Sequence, residues 1–179
     1  LPNAYQLRNQ IWSRFILNET ERATYDFSNL SLMSLEHAST LAEIKSSRRN
    51  LELFIANKFE VQKTLWQHAT LPFLNAKSIF TTNYDNLIEK GFNTVNHGRQ
   101  LTPIYNNSTS INQNFIPLYK PHGSIDHPHS TVKEGGFVIT QFDYYEIMDV
   151  REKMLKTFIE GFKNKCVIFI GYSLLDFDI

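Results

Sequence analysis

The hydrophobic rhythm of the chain changes part-way along. From Tyr5 to Leu17, Leu7, Ile11 and Phe15 recur at helical spacing with Trp12 beside them. A polar stretch runs from Asn18 to Asn29, and from about Leu35 to Phe59 the helical pattern returns, with Leu41, Ile44, Leu51, Phe54 and Ile55 as core candidates. Lys63 to Leu74 predicts one more helix. Beyond it the pattern becomes β-like. Lys77 to Thr82 is short, β-prone and apolar enough for a buried strand. It runs into Asn83-Tyr84-Asp85, and the spacing then predicts a short helix over Asn86 to Lys90, with Asp85 as its N-cap and Gly91 as its end.

Residues 93–114 are rich in Asn, Ser and Thr and read as loop. A second strand, about Phe115 to Lys120, leads into Pro121-His122-Gly123-Ser124-Ile125-Asp126. A third, Phe137 to Ile139, ends at Thr140, which with Asp143 resembles a capping box. That box opens a long helix through Tyr145, Met148, Met154, Leu155 and Phe158, ended by Gly161 or Asn164. Met148, Met154, Phe142, Tyr145 and Phe158 are read as packing residues. A last strand, Val167 to Ile170, is apolar on both faces, as a central parallel strand should be. Strands alternating with helices predict an α/β layer fold with a mainly parallel, Rossmann-like sheet, flanking helices and a helical N-terminal third. Ligands of such sheets bind beyond the carboxyl ends of the strands. Three polar turns fall there: Asn83-Tyr84-Asp85, His122-Gly123-Ser124 and Gly171-Tyr172-Ser173. Their convergence on one crevice is the main reason to expect a site.

Composition narrows the function classes. Lys+Arg and Asp+Glu are equal at 18 each. This balance argues against a nucleic-acid-coating or anionic-membrane surface, because such binding relies on clustered basic charge. Lys45, Arg48 and Arg49 lie close together but read as a solvated helix face. The one cysteine, Cys166, excludes an internal disulfide and a Cys-rich zinc module. Within the apolar run after it, a buried small hydrophobe is expected. No apolar stretch approaches a membrane span and nothing resembles a signal peptide, so a cytoplasmic protein is expected.

His122 is suited to general base work and precedes a glycine that lets backbone and ligand approach closely. Asn83 carries a donor and an acceptor, so it can orient a water or a sugar hydroxyl without charge. Asp85 can accept from a carboxamide, and Ser173 with the N–H groups after Gly171 can meet ribose or phosphate oxygens. Taken singly, each has a plainer reading as a turn, a cap or a strand end. A metal-hydrolase reading on His122, Asp126, His127 and His129 lacks a known ligand spacing, and no metal site is expected.

Taken in order, the three turns carry a resemblance. Thr81-Thr82-Asn83-Tyr84-Asp85 resembles the Thr-Gln-Asn-Ile-Asp box of sirtuins, in the Thr-Thr-Asn-Tyr-Asp form of the SIR2-like family. Residues 120–126 resemble that family's His-Gly-Ser segment, and Gly171-Tyr172-Ser173-Leu174-Leu175-Asp176-Phe177-Asp178 its Gly-Tyr-Ser-Leu segment. The likeness covers about residues 75–179. It implies that Asn83 and His122 are a catalytic pair and that Asp85 holds the nicotinamide carboxamide. Thr82, Gly123, Gly171 and Ser173 would contact the nucleotide, although Thr82 stands where sirtuins have Gln.

The resemblance also sets expectations for what surrounds the site. The family's Gly-Ala-Gly-x-Ser loop is absent and is expected just upstream of Leu1. The chain is accordingly read as one SIR2-like domain over 1–179, a fragment with a helical part (1–74) and a Rossmann-like part (75–179). The four-Cys module of protein deacetylases is missing, which disfavours deacylation. The resemblance implies NAD+ as substrate, cleavage of its nicotinamide–ribose bond and a role in prokaryotic antiviral defence. The alternative is a non-catalytic sensor that binds NAD or ADP-ribose. Other domains of the same chain, an activator or a homo-oligomer are partners the sequence leaves open.

Overall fold

The computed structural model describes residues 1–60, 63–95, 98–110, 112 and 114–171. The protein is α/β, with a parallel three-stranded sheet flanked by helices. The N-terminal third is helical, as its pattern predicts. Helix α1 (Ala4–Ile11) starts at a reciprocal Asn3–Gln6 capping box and continues through a π-helical turn, Trp12–Ile16. A second box, Asn18 with Glu21, starts the short α2 (Glu19–Thr24) inside the stretch read only as polar. The pattern over 35–59 resolves into α3 (Leu35–Lys45) and α4 (Arg48–Phe59), each opened by a serine cap. Leu51 and Ile55 are buried as expected. Ile44 is not: it is 73% exposed, because α3 turns Ala38, Ser39, Thr40 and Ala42 inward.

Lys63 to Leu74 holds α5 (Trp66–Thr70) and a 3-10 turn, Leu71–Leu74. Strand β1 (Ile79–Phe80) follows, then α6 (Leu87–Thr94). Gly91 does not end α6. It lies within it, where a Cβ would stand 2.5 Å from the carbonyl oxygen of His68, so it permits α5 and α6 to touch. The stretch 93–114 is not all loop. Strand β2 (Leu101–Ile104) lies inside it and pairs in parallel with β3 (Ile116–Tyr119). The order is β1-β3-β2, with β3 central.

Two expected strands are absent among the described residues. Phe137, Val138 and Ile139 are fully buried but not in a ladder. Val138 N–H donates to the His122 carbonyl (3.0 Å) and Ile139 N–H to Asp143 Oδ2 (3.0 Å), so turns and a side chain satisfy this backbone instead of a neighbouring strand. Val167 to Ile170 forms no strand and is exposed, and Cys166 is exposed with it.

The Thr140–Asp143 capping box forms and opens α7 (Gln141–Val150). The expected single long helix is two, however, because Arg151 interrupts it before α8 (Glu152–Glu160), which closes at Gly161. Arg151 is fully buried, and its guanidinium donates to the carbonyls of Val132 (2.6 Å) and Gly136 (2.8 Å). Helix α7 buries Asp143 and Ile147, one turn apart. Phe142, Tyr145 and Met148 therefore face outward, at 70%, 80% and 51% exposure, and are not core.

Two clusters hold the layers together. One joins Leu7, Ile11, Leu51, Ile55 and Phe59 of the helices to Tyr84, Phe137 and Ile139. The other seats Met154, Leu155 and Phe158 of α8 on Ile104 and Tyr119, with Phe80 stacked on Phe158 at 4.3 Å. Arg48 is no solvated residue. It donates to Glu52 (2.7 Å), Asp143 (2.7 Å) and the Phe137 carbonyl (2.7 Å), tying α4 to the start of α7. Burial pulls its guanidinium toward the neutral form, but Asp143 and Glu52 outweigh that and raise its pKa. Arg49 and Lys45 do face water.

Candidate functional site

Parallel register puts the three strand ends level. Phe80 and Ile104 both pair with Tyr119. Just past that line, Thr81 N–H donates to the Tyr119 carbonyl (3.0 Å) and Lys120 N–H to the Ile104 carbonyl (3.0 Å). The chain leaves β1 and β3 at adjacent points, and the two exits are bonded to each other, since Ile125 N–H donates to the Tyr84 carbonyl at 2.9 Å. Two of the three predicted turns are thereby brought together. Of the third, only Gly171 is described, exposed and at φ +63°, while Ser173 lies outside the described residues.

Tyr84 fixes the first turn. Its ring packs edge-on against Phe59 (5.4 Å) and Phe137 (5.1 Å), and its hydroxyl donates to the Val138 carbonyl (2.8 Å). With Tyr84 pinned inward, its neighbour Asn83 is exposed, and Asn83 N–H is held by Thr81 Oγ1 at 3.1 Å. Thr82 is half-buried beside it. Asp85 is buried at 6% exposure, and its Oδ1 accepts from Leu87 N–H (2.9 Å) in the first turn of α6. That is the capping role the sequence suggests, exercised from one residue before Asn86, which holds the N-cap position of α6.

The second turn is more deeply set. His122 is 3% exposed, with Tyr144 of α7 edge-on to its ring at 5.3 Å. Gly123 has φ +88°, and a Cβ there would lie 2.4 Å from the Gly136 carbonyl oxygen. Only glycine allows the turn to pass so close to residue 136. Ser124 is fully buried, while Asp126 accepts from Asn86 Nδ2 (3.1 Å) and thus bonds the second turn to the head of α6.

Sequence reasoning passed over three residues here. Tyr84 stands in the sequence only as the middle of a motif. Lys120 is 0% exposed at the end of β3, and its Nζ donates to the Asp85 carbonyl (2.6 Å), Glu89 Oε1 (2.9 Å) and Ser124 Oγ (3.2 Å). A lysine closing an apolar strand is the signal that marks it. Tyr105, just past β2, lies in the same polar cluster. Burial foremost, then the negative charges of Glu89 and Asp126, push its hydroxyl above the ordinary tyrosine value, against a lowering hydrogen bond with Ser124.

The His/Asp group considered for a metal is dispersed. His127 packs edge-on against Tyr105 (4.6 Å), His129 Nδ1 lies 3.2 Å from Glu52 Oε2, and Asp126 serves Asn86. Among the described residues no three His, Cys, Asp or Glu side chains converge for a metal ion. No helix among them is long and apolar enough to cross a membrane.

Comparison with known proteins places the chain in a family. Residues 77–179 match the sequence model of the SIR2-like domain, and the chain belongs to that family. Three bacterial relatives are each named NAD(+) hydrolase ThsA. The protein from Enterococcus faecium is 33% identical over 111 residues, 61% of this chain and 22% of the relative. Those from Cytobacillus dafuensis and Bacillus cereus are 27% and 25% identical over 75% of this chain, and 26% and 27% of their own lengths. The chain thus spans about a quarter of the length of the curated relatives it matches.

Two outcomes are expected of this arrangement. Gly123→Ala should lower stability by roughly 2–3 kcal/mol, the range for forcing a side chain into a left-handed, crowded position. A thermal melt unchanged from the parent would show that the turn can yield. Second, Tyr105 keeps its proton in the fold at pH values where the unfolded chain loses it. Its stabilising effect is therefore complete below about pH 10 and is lost as pH rises through the raised value. Tyr119 is pushed the same way by burial. Denaturant midpoints between pH 9 and 11.5 should fall with rising pH, and Tyr105→Phe should flatten the fall in part; an identical slope in the variant would contradict the assignment.

Proposed function

We propose that this chain is the core of an NAD+ hydrolase that cleaves the nicotinamide–ribose bond to give nicotinamide and ADP-ribose. The observation that carries the reading is the bonded pair of turns, Asn83–Asp85 and His122–Ser124, at the carboxyl ends of adjacent parallel strands. Family membership and relatives named NAD(+) hydrolase support it. NAD+ enters as substrate, and the cytoplasm, where it is abundant, is the compartment this reading assigns. The defence role implied by the resemblance belongs to the same proposal.

In this mechanism the C1′–N bond breaks with its electron pair going to the pyridinium ring, so nicotinamide leaves neutral and the ribose becomes an oxocarbenium-like cation. Water adds to C1′ and loses a proton. Asn83, held outward by Tyr84, orients that water through its amide. His122 accepts the proton from the water or from a ribose hydroxyl. Asp85 uses the carboxylate oxygen not engaged with Leu87 to accept from the carboxamide of nicotinamide. Thr82, Gly123 and Gly171 line the nucleotide's path, Gly123 by leaving room for close backbone approach, and Ser173, outside the described residues, is assigned a nucleotide contact by the resemblance alone.

The deep burial of His122 favours a second reading, a sensor that binds NAD+ or ADP-ribose without turnover. Chromatography of NAD+ incubated with the longest native form of the protein separates the two. Hydrolysis predicts nicotinamide and ADP-ribose in equal amounts from the parent, with His122→Ala slower by on the order of 10²–10⁴-fold. Intact NAD+ with binding retained would replace the enzyme by the sensor, and an undiminished rate in the variant would remove His122 from the mechanism.

A further inference from the structure

Lysine is rarely fully buried, because an ammonium taken from water must recover its hydration from protein partners. Lys120 does so completely. Its three N–H donors meet three acceptors, at 2.6 Å the Asp85 carbonyl, at 2.9 Å Glu89 Oε1 and at 3.2 Å Ser124 Oγ. Those acceptors belong to three different segments: the turn after β1, the helix α6 and the turn after β3. The Glu89 side chain, 15% exposed, supplies the opposite charge. Asp126 Oδ2, 3.3 Å from Ser124 Oγ, extends the cluster to the residue that also accepts from Asn86.

We propose that Lys120 is a positioning residue whose buried ammonium sets the distance between the Asn83–Asp85 turn and the His122–Ser124 turn. Lys120 touches no reacting atom in the proposed chemistry. It acts on the backbone at Asp85 and on the hydroxyl at Ser124, so Asn83 and His122 keep a fixed spacing while the exposed Asn83 side chain stays free to meet ligand. Main-chain bonding alone joins the turns at one point, Ile125 to Tyr84. Side chains add Asn86 to Asp126 at the rim, and the ammonium adds the buried, charged tie that reaches both turns from one atom. In kinetic terms the proposal rests on the NAD+-cleavage reading; in structural terms it does not.

The test must separate positioning from stability. Lys120→Met leaves the Glu89 carboxylate buried without its cation and should destabilise the fold. Lys120→Met combined with Glu89→Leu removes both charges and fills the space with apolar atoms, so most of the thermal stability should return. In full-length protein at matched stability, kcat for NAD+ cleavage should remain down by on the order of 10–100-fold with a smaller change in KM, as for a misplaced reacting pair. Hydrogen exchange at 83–86 and 122–125 should be faster than in the parent, with α3 and α4 unchanged. Recovery of kcat together with stability would overturn the proposal and leave Lys120 a structural residue. If the parent itself cleaves no NAD+, the exchange measurement decides alone. Faster exchange at both turns upholds the positioning role while the cleavage reading fails, and parental protection in the double variant overturns it.

Discussion

Three parallel strands that end level impose the constraint from which the rest follows. Because Phe80 and Ile104 both sit opposite Tyr119, the chain must leave all three strands along one edge of the sheet. Whatever polar residues come next are brought side by side, with no long-range pairing needed beyond the sheet itself. Hydrogen bonds from Thr81 and Lys120 to the last carbonyls of the neighbouring strands extend the register one residue further and fix where each turn begins. The crevice outside the carboxyl ends of the strands is where open α/β sheets receive ligands.

What keeps those turns in place comes from two sides. From the helical third, Phe59 and the buried 137–139 segment grip Tyr84 and hold Asn83 outward. From beneath, charged groups tie the loops: Lys120 beside the site, Arg151 under the 132–136 loop and Arg48 between α4 and α7. Each cation is met by carbonyls or carboxylates at hydrogen-bonding distance, the condition under which buried charge is tolerated. The helical third, outside the region that matches the family model, is thus a structural support of the site.

The sequence made much of this readable, for identifiable reasons. Strands β1 and β3 announced themselves as short β-prone runs ending in polar turns, and Thr140 with Asp143 as a capping box, because these are local signals. Strand β2 was hidden by its Asn- and Ser-rich surroundings and by Pro103, although as an edge strand it can accommodate proline. Phe137 to Ile139 is apolar enough for a strand, but burial by itself does not specify a partner, and Asp143 and His122 satisfy its backbone instead. Phe142, Tyr145 and Met148 were misplaced because helical spacing reveals a face without revealing which way it turns. Arg48 reads as a solvated helix face and Lys120 as no more than a strand end, since a lone cation reads as surface until its distant partners are known: Asp143 lies 95 residues from Arg48 and Asp85 lies 35 from Lys120. Among the candidate site residues, Asn83 and Asp85 lie on one turn and His122 and Gly123 on another bonded to it, while Ser173 lies outside the described residues.

The two turns are proposed to form one nucleotide site. Differential hydrogen exchange of the full-length protein, with and without ADP-ribose, tests it most directly, because that ligand is the product proposed and undergoes no turnover. Added protection is expected at 81–86 and 122–125 together, with the helices over 4–59 unchanged. Protection confined to one turn, or appearing instead among those N-terminal helices, would contradict it.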